Sequence, residues 1–112
     1  MDDQTARERL LRRKAELADE DRMSASDRAP VKLDQDSVGR LSRIDAMQVQ
    51  AMALAAERRR AAERMRIDAA LRRLADGEFG YCMTCGERIN PARLEHDPSA
   101  NQCVDCALRK QR

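Results

Sequence analysis

Four cysteines in two closely spaced pairs near the C-terminus constrain this chain more than any other feature. They are Cys82, Cys85, Cys103 and Cys106, with two residues inside each pair and seventeen between the pairs. Two thiolates three residues apart reach one metal ion from a tight turn, and two such turns supply a tetrahedral four-sulfur shell. The spacing therefore predicts one Zn²⁺. Because four sulfurs leave no open position for water or substrate, the predicted zinc is structural rather than catalytic.

The residues around the first cysteine pair fit this interpretation. Gly86 follows Cys85, where a metal-binding turn needs a residue that tolerates a positive φ angle. Asn90-Pro91 has the form of an N-cap followed by a first helical residue, which predicts a short helix between the two pairs.

Three other side chains near the pairs have predicted roles. We expect Phe79 and Tyr81, the only aromatic residues, to cover the metal and its backbone rather than to bind bases. His96 is the single histidine, and with four sulfurs available we expect it to be a surface residue.

Two other interpretations of the cysteines remain open at this stage, namely two disulfides or a redox-active pair. No apolar run approaches the roughly 20 residues of a membrane span, and the N-terminus lacks the apolar stretch of a signal peptide. The expected location is therefore the cytoplasm, where thiols stay reduced. A redox pair of the thioredoxin type also expects a strand and helix unit, which the sequence does not predict.

The composition of the remaining chain favours long exposed helices. Charged residues make up 38% of the 112 residues, and there is one Phe, one Tyr and no Trp. The pattern predicts helices over about residues 2–23 and 37–75, joined by an acidic connection over 24–36 that contains Pro30. The predicted organisation is a helical region 1–76 followed by a zinc-finger region 77–112.

An apolar stripe on each helix predicts how the two helices pair. On the first helix it comprises Ala6, Leu10, Leu17 and Met23. On the second it comprises Val38, Leu41, Ile44, Met47, Ala51, Leu54 and Ala55, and after a slip Ala62, Met65 and Ala69. Since neither helix can bury its stripe alone, we expect an antiparallel helical hairpin, close to a two-stranded coiled coil. Dimerisation through the same stripe is the alternative to the expected monomer.

The segment GEFGYCMTCGERINPARLEHDPSANQCVDC, preceded by a long charged helix, resembles the DksA/TraR family of bacterial zinc-finger proteins, which includes DnaK suppressor-like proteins. The shared motif is G-x-F/Y-G-x-C-x-x-C-G, then R-L-E, a proline about four residues on, and C-x-x-C. The resemblance implies a coiled-coil hairpin with a four-cysteine zinc finger at its base. It also implies direct binding to RNA polymerase through the secondary channel, with an acidic tip that modulates initiation, in long members together with ppGpp.

Two departures from the family pattern bear on function. From the resemblance we expect a short member without the extended N-terminal region of the long members, and the predicted tip lacks a complete Asp-x-x-Asp-x-Ala motif. The resemblance makes Asp34, Asp36 and the Asp45-Ala46 pair the candidates for tip residues that act on the polymerase.

Three classes of function follow for comparison. The leading prediction is a transcription regulator that binds RNA polymerase, and an arginine-rich second helix fits it, with nine basic and four acidic residues over 37–75. The alternative is a zinc-finger module that binds nucleic acid, although a net charge of only +2 gives it little support. An enzyme is not predicted, because the thiols and the single histidine leave no catalytic set and no site for a small-molecule substrate.

Overall fold

The protein, described by a computed structural model over residues 1–31 and 40–110, is mainly helical, as predicted. The helices are α1 (Asp3–Met23), α2 (Ala25–Arg28), α3 (Arg40–Ala75), α4 (Pro91–His96) and α5 (Val104–Lys110). Within the described ranges β structure is limited to one isolated antiparallel bridge between Tyr81 and Arg88.

Local signals set the ends of the long helices. The Asp2 carboxylate caps α1 by accepting a hydrogen bond from the backbone N–H of Thr5 at 2.7 Å, and this bond lowers the pKa of Asp2. Asp3 lies in the first turn, where the helix dipole favours negative charge. At the far end of α3, Gly77 takes a φ of 74° just beyond Ala75, which is the helix stop that the sequence predicts.

Contacts divide the chain into two compact units. The first joins Met1–Ala15 to the chain from Glu63 onward, and the second comprises Glu16–Ala62. Each unit contains part of α1 and part of α3. The predicted boundary between residues 76 and 77 stays a prediction.

In the first unit α1 and α3 share an apolar seam flanked by ion pairs. Four residues are buried in it: Ala6, Leu10, Ile67 and Ala70. The Arg13 guanidinium donates from Nε and Nη2 to the two carboxylate oxygens of Glu63 at 2.7 and 3.1 Å, and Lys14 pairs with Asp68 at 2.8 Å. These contacts join residues about fifty positions apart in the sequence. They pair α1 with α3, as the predicted hairpin requires.

In the second unit α1, α2 and α3 meet mainly through polar contacts. Leu17 is its one fully buried large apolar side chain among the described residues, and α2 buries none. Asp21 contacts Arg60, Arg28 contacts Glu57, and the carbonyl of Ala29 accepts from Gln50. As the residue number rises from Asp21 to Ala29, the number of the partner on α3 falls from 60 to 50. The segment 21–29 therefore runs antiparallel to α3.

The buried face of α3 differs from the predicted stripe at its C-terminal half. Met65 is 73% exposed and Ala62 is exposed, whereas Ile67 and Ala70 are buried. On α1 the prediction holds for Ala6, Leu10 and Leu17, but Met23 is 82% exposed. The apolar pattern alone is ambiguous on α3 because charged residues occupy part of the true seam, where they pair with α1.

The N-terminal half of the predicted α3 stripe is also largely uncovered. Ile44, Met47 and Ala51 are exposed, while Leu54 and Ala55 are half-buried. The segment Ala29–Val31 instead lies against a different face of the helix, around Val49 and Gln50. The stripe positions Val38 and Leu41 lie outside the residues whose side chains are described.

Candidate metal centre

The four cysteine sulfurs converge in the first unit. The Sγ atoms of Cys82, Cys85, Cys103 and Cys106 all lie within 4.8 Å of one another, and those of Cys85 and Cys103 are 3.8 Å apart. Tetrahedral coordination with Zn–S bonds of about 2.3 Å requires sulfur–sulfur distances of roughly 3.8 Å. The donor set and its spacing therefore fit one structural zinc ion, as predicted.

A tight turn positions the first pair. The backbone N–H of Cys82 donates to the Glu87 carbonyl at 2.7 Å, and the N–H of Gly86 donates back to the Cys82 carbonyl at 2.9 Å. Gly86 has a φ of 79°, which L-residues with a side chain rarely adopt. The prediction that this position needs a residue tolerant of a positive φ angle is thus confirmed. The turn places Cys82 and Cys85 so that both can bind one ion.

The start of α5 positions the second pair. Cys103 immediately precedes α5, and the N–H of Ala107 donates to its carbonyl at 3.0 Å, while Cys106 lies buried inside the helix. One helical turn thus separates the two sulfurs, which places both on the same side of α5.

Hydrogen bonds tie the two cysteine segments together. The N–H of Met83 donates to the Asn101 carbonyl at 2.8 Å, and the Gln102 side-chain amide donates to the Thr84 hydroxyl at 2.9 Å. From α4, Arg93 donates to the carbonyl of Gln102 at 2.9 Å. The site is therefore held by backbone and side-chain contacts on both sides of the cluster.

The bridge between the pairs has the predicted cap. The side chain of Asn90 accepts from the N–H of Ala92 at 2.9 Å, and Pro91 is the first residue of α4. The helix buries Leu94, whose side chain packs with both cysteine segments. The members of this small core are Cys82, Ile89, Leu94, Ala100 and Cys106, with Phe79 and Cys103 packed against it.

The two aromatic residues have different environments. Phe79 packs on the core, as expected, whereas Tyr81 is 44% exposed and lies under the Arg88 guanidinium, whose carbon is 5.9 Å from the ring centre. Tyr81 pairs with Arg88 in the isolated bridge, and neighbouring residues of an extended segment point to opposite sides. Cys82 is buried while Tyr81 is exposed and contacts Arg88, so the expectation that Tyr81 covers the metal stays a prediction.

The electrostatics of the cluster favour a divalent cation. Hydrogen bonds from the backbone N–H groups of Cys85 and Cys103 lower the pKa of Cys82 to about 6. In contrast, the side-chain hydrogen bond with Cys103 and burial raise the pKa of Cys106 to about 12. One thiol is thus more acidic, and another less acidic, than an ordinary cysteine. A bound Zn²⁺ ion would stabilise the thiolate form of all four.

The other predicted site residues lie away from the sulfurs. His96 is exposed and is not part of the cluster, as expected. Asp45 and Ala46 are exposed residues of α3 in the second unit, whereas Asp34 and Asp36 lie outside the described residues. The structure therefore brings the four cysteines together, and the tip residues stay predictions.

The arginine-rich stretch of α3 contains one residue whose role the sequence did not reveal. Arg58, Arg59 and Arg66 are exposed, but the side chain of Arg60 is only 12% exposed and pairs with Asp21 on α1. Because Asp21 lies 39 positions earlier, no local pattern distinguishes Arg60 from its neighbours.

Comparison with known proteins now defines the C-terminal region. Residues 77–112 match the family model described as the prokaryotic dksA/traR C4-type zinc finger. This C-terminal region of the chain is therefore similar to the zinc finger of the DksA/TraR family. The predicted recognition is confirmed, and the four converging cysteines all lie within the matched residues.

Two proteins with similar sequences are named as transcription factors. This chain is 49% identical over 41 residues to the RNA polymerase-binding transcription factor DksA of Haemophilus influenzae. The aligned segment covers 37% of this chain and 28% of that protein. This chain is 49% identical over 47 residues to DksA of Caulobacter vibrioides, with 42% and 33% of the two chains covered. The matched segments thus span about a third of these relatives or less. Both relatives are named for transcription rather than for an enzymatic activity, in line with the prediction that the chain is not an enzyme.

A solved structure extends the likeness beyond the finger. The transcription factor DksA2 from Pseudomonas aeruginosa superimposes with a TM-score of 0.72 at 26% identity, covering 97% of this chain and 82% of that one. This match confirms the predicted fold class, a helical hairpin with a C-terminal zinc finger. In the described ranges, none of the helices is long and apolar enough to cross a membrane.

Proposed function

We propose that this protein is a cytoplasmic transcription regulator that binds RNA polymerase directly. The observation that carries the proposal is the likeness to DksA2, because it extends over 97% of the chain and joins the zinc finger to the paired helices. The named polymerase binding of the DksA relatives supports the same partner.

The proposed mode of binding follows the family resemblance. The α1–α3 hairpin enters the secondary channel, and the connection between α1 and α3 forms the tip that approaches the catalytic centre. Asp34, Asp36 and Asp45 are the proposed acidic residues of the tip. Their carboxylates suit an approach to a centre that contains Mg²⁺, since this ion prefers oxygen ligands.

The proposed contact surface on α3 is cationic. Arg58, Arg59 and Arg66 are exposed and bear no carboxylate partner shown for the described residues. Free guanidinium groups suit an acidic partner surface, where they form bidentate contacts with carboxylates. We propose that the protein acts as a monomer and that ppGpp contributes only jointly with the polymerase.

The zinc finger has a structural role in this proposal. Zinc holds Cys82 and Cys85 to Cys103 and Cys106, and so keeps the small core of the finger folded against α4 and α5. Its closed sulfur shell offers no position to a substrate.

A pair of assays on the same variants tests the proposal. The first measures competition for binding to core RNA polymerase, and the second measures the lifetime of promoter complexes. We expect the double variant Asp34→Asn with Asp36→Asn to retain binding and to lose the effect on lifetime. Asp45→Asn is the second variant, and Asp76→Asn, an exposed acid at the other end of α3, is the matched control.

The outcomes separate the possible functions. Loss of the lifetime effect in the tip variants, with Asp76→Asn behaving as wild type, supports the proposed tip. Identical decay in all variants refutes a role for these acids. Absence of polymerase binding, together with retention of a DNA duplex at physiological salt, refutes the proposed function and favours a nucleic-acid-binding module.

A further inference from the structure

The short helix α2 attaches to α3 without an apolar core. It buries no residue, and the chain that follows it, Ala29–Val31, is exposed or half-buried. Apolar burial usually holds a short helix in place, because a four-residue helix has almost no stability of its own. Other contacts must therefore hold α2 in its place.

A cluster of five polar side chains supplies those contacts. It comprises Asp21, Ser24, Arg28, Glu57 and Arg60, and we call it the clasp. Arg60 donates from Nε to the Asp21 carboxylate at 2.5 Å and from Nη2 to the Ser24 hydroxyl at 2.9 Å. Its planar guanidinium thus binds both a residue near the end of α1 and the residue that precedes α2.

Arg28 completes the clasp from the other side. Its Nη2 donates to the backbone carbonyl of Asp21 at 2.7 Å and its Nε donates to the Ser24 hydroxyl at 3.2 Å. Its Nη1 lies 3.0 Å from a carboxylate oxygen of Glu57 on α3. The Ser24 hydroxyl therefore receives hydrogen bonds from two arginines, and two carboxylates balance their charges.

Burial makes the Arg60 contact more costly to break than an ordinary surface ion pair. The side chains of Arg60 and Asp21 are 12% and 22% exposed, and those of Arg28 and Glu57 are 22% and 38% exposed. Removal of one partner from a shielded pair leaves a desolvated charge uncompensated, which costs more than the loss of an exposed pair.

We infer that the clasp around Arg60 is a conformational latch that fixes the Ser24–Val31 segment on α3 and opens locally when its ion pairs are weakened. The segment leads directly to the predicted tip acids Asp34 and Asp36. Arg60 is thus a positioning residue for the tip, a consequence that rests on the proposed function, whereas the latch itself does not.

Hydrogen exchange on the isolated, zinc-loaded protein tests the latch. The amides of Asp27 and Arg28 both donate to the Ser24 carbonyl, at 3.0 and 3.1 Å, and they report opening of α2. We expect Arg60→Gln to accelerate their exchange roughly tenfold to a hundredfold, the range for losing hydrogen bonds to a charged group. Amides around Leu10 and Ile67 should exchange as in wild type.

Three further variants and a salt series sharpen the test. Arg58→Gln removes the same charge from an exposed position two residues away and should leave exchange of α2 unchanged. Arg60→Lys keeps the charge without the planar fork and should give an intermediate rate. In the double variant of Asp21→Asn and Arg60→Gln, the second change should add little to the first, because both break the same contact.

The salt series needs no substitution, so it gives a result even if Arg60→Gln does not fold. Raising salt from about 0.1 M to about 1 M shortens the screening length from about 10 Å to about 3 Å. This should accelerate exchange of α2 amides in wild type modestly, mainly by weakening the more exposed Arg28–Glu57 pair of the clasp. The inference would be overturned if the α2 amides exchanged at the same rate in Arg60→Gln and Arg58→Gln, or if their exchange rate in wild type did not change with salt. Because no polymerase is present, this failure would leave the proposed function untouched.

Discussion

Replacement of Ile67 by alanine tests which face of α3 packs on α1. Ile67 is 1% exposed, as is Leu10 on α1, so Ile67→Ala removes apolar carbons from a fully buried position and leaves a cavity. Such substitutions cost about 2–5 kcal/mol in free energy of unfolding. Domains of this size are stable by about 5–15 kcal/mol, so the loss should be a large fraction of the total.

Met65→Ala is the matched comparison, because it lies two residues away on the same helix and on the predicted apolar stripe. Met65 is 73% exposed, so its replacement should change the free energy of unfolding by about 0.5 kcal/mol or less. The conservative Ile67→Val should cost about 0.5–1.5 kcal/mol.

The assay is equilibrium urea unfolding, followed by helical circular dichroism at saturating zinc and at two protein concentrations. An unchanged slope with a lower midpoint would mean that the variant differs in stability rather than in compactness. Equal losses for Ile67→Ala and Met65→Ala, or a larger loss for Met65→Ala, would refute a seam built on Ile67. A midpoint that rises with protein concentration would show that a dimer, not a hairpin within one chain, covers the stripe.

Three further predictions concern the zinc finger. Metal analysis of reduced protein should give one zinc per chain. Because such sites contribute about 10–16 kcal/mol in apparent binding free energy, Cys85→Ser or a chelator should expose the amides of residues 77–110 to hydrogen exchange, while much of the helical signal of α1 and α3 persists. A finger that is folded without zinc would contradict this prediction. Gly86→Ala should weaken zinc binding roughly tenfold, because a side chain at a φ of 79° costs about 1–2 kcal/mol, although the added Cβ meets nothing within 4 Å. Competition with a calibrated chelator measures the zinc affinity, and Gly86→Asn should weaken it less than Gly86→Ala. Asn90→Ala removes the α4 cap and should lower the free energy of unfolding by about 1 kcal/mol, whereas Asn90→Ser keeps a capping side chain and should lower it little. Chemical unfolding of the zinc-loaded protein measures both, and equal losses in the two variants would refute the role of the cap.

The zinc centre was predictable from the sequence because its determinants are local. Two thiols three residues apart, a glycine at the turn, and Asn90-Pro91 at a helix start each encode their geometry within a few residues. Closure of the sulfur shell then follows from the count of four ligands. The structure agrees at each of these points, from the cluster of sulfurs to the φ of Gly86 and the cap of α4.

The pairing of the helices was predictable only in outline. The period of apolar residues on α1 correctly identified Ala6, Leu10 and Leu17, since its buried face is apolar. On α3 the same reasoning selected Met65 in place of Ile67, because the buried face there alternates apolar side chains with charged ones that pair across the interface. Hydrophobic period cannot distinguish a charged residue in a seam from one in solvent.

Only the tertiary structure decided which charges act in pairs. Arg60 and Arg58 are indistinguishable in sequence, yet Arg60 contacts Asp21 and Ser24 while Arg58 is exposed. The structure likewise decided that Tyr81 is 44% exposed while its neighbour Cys82 is buried. Sequence alone determined the two long helices and the metal ligands, whose geometry depends on neighbouring residues, but it did not predict α2 within the connection over 24–36. The partners of individual side chains depend on the register of two helices that meet across about fifty residues of chain, which only the folded packing specifies.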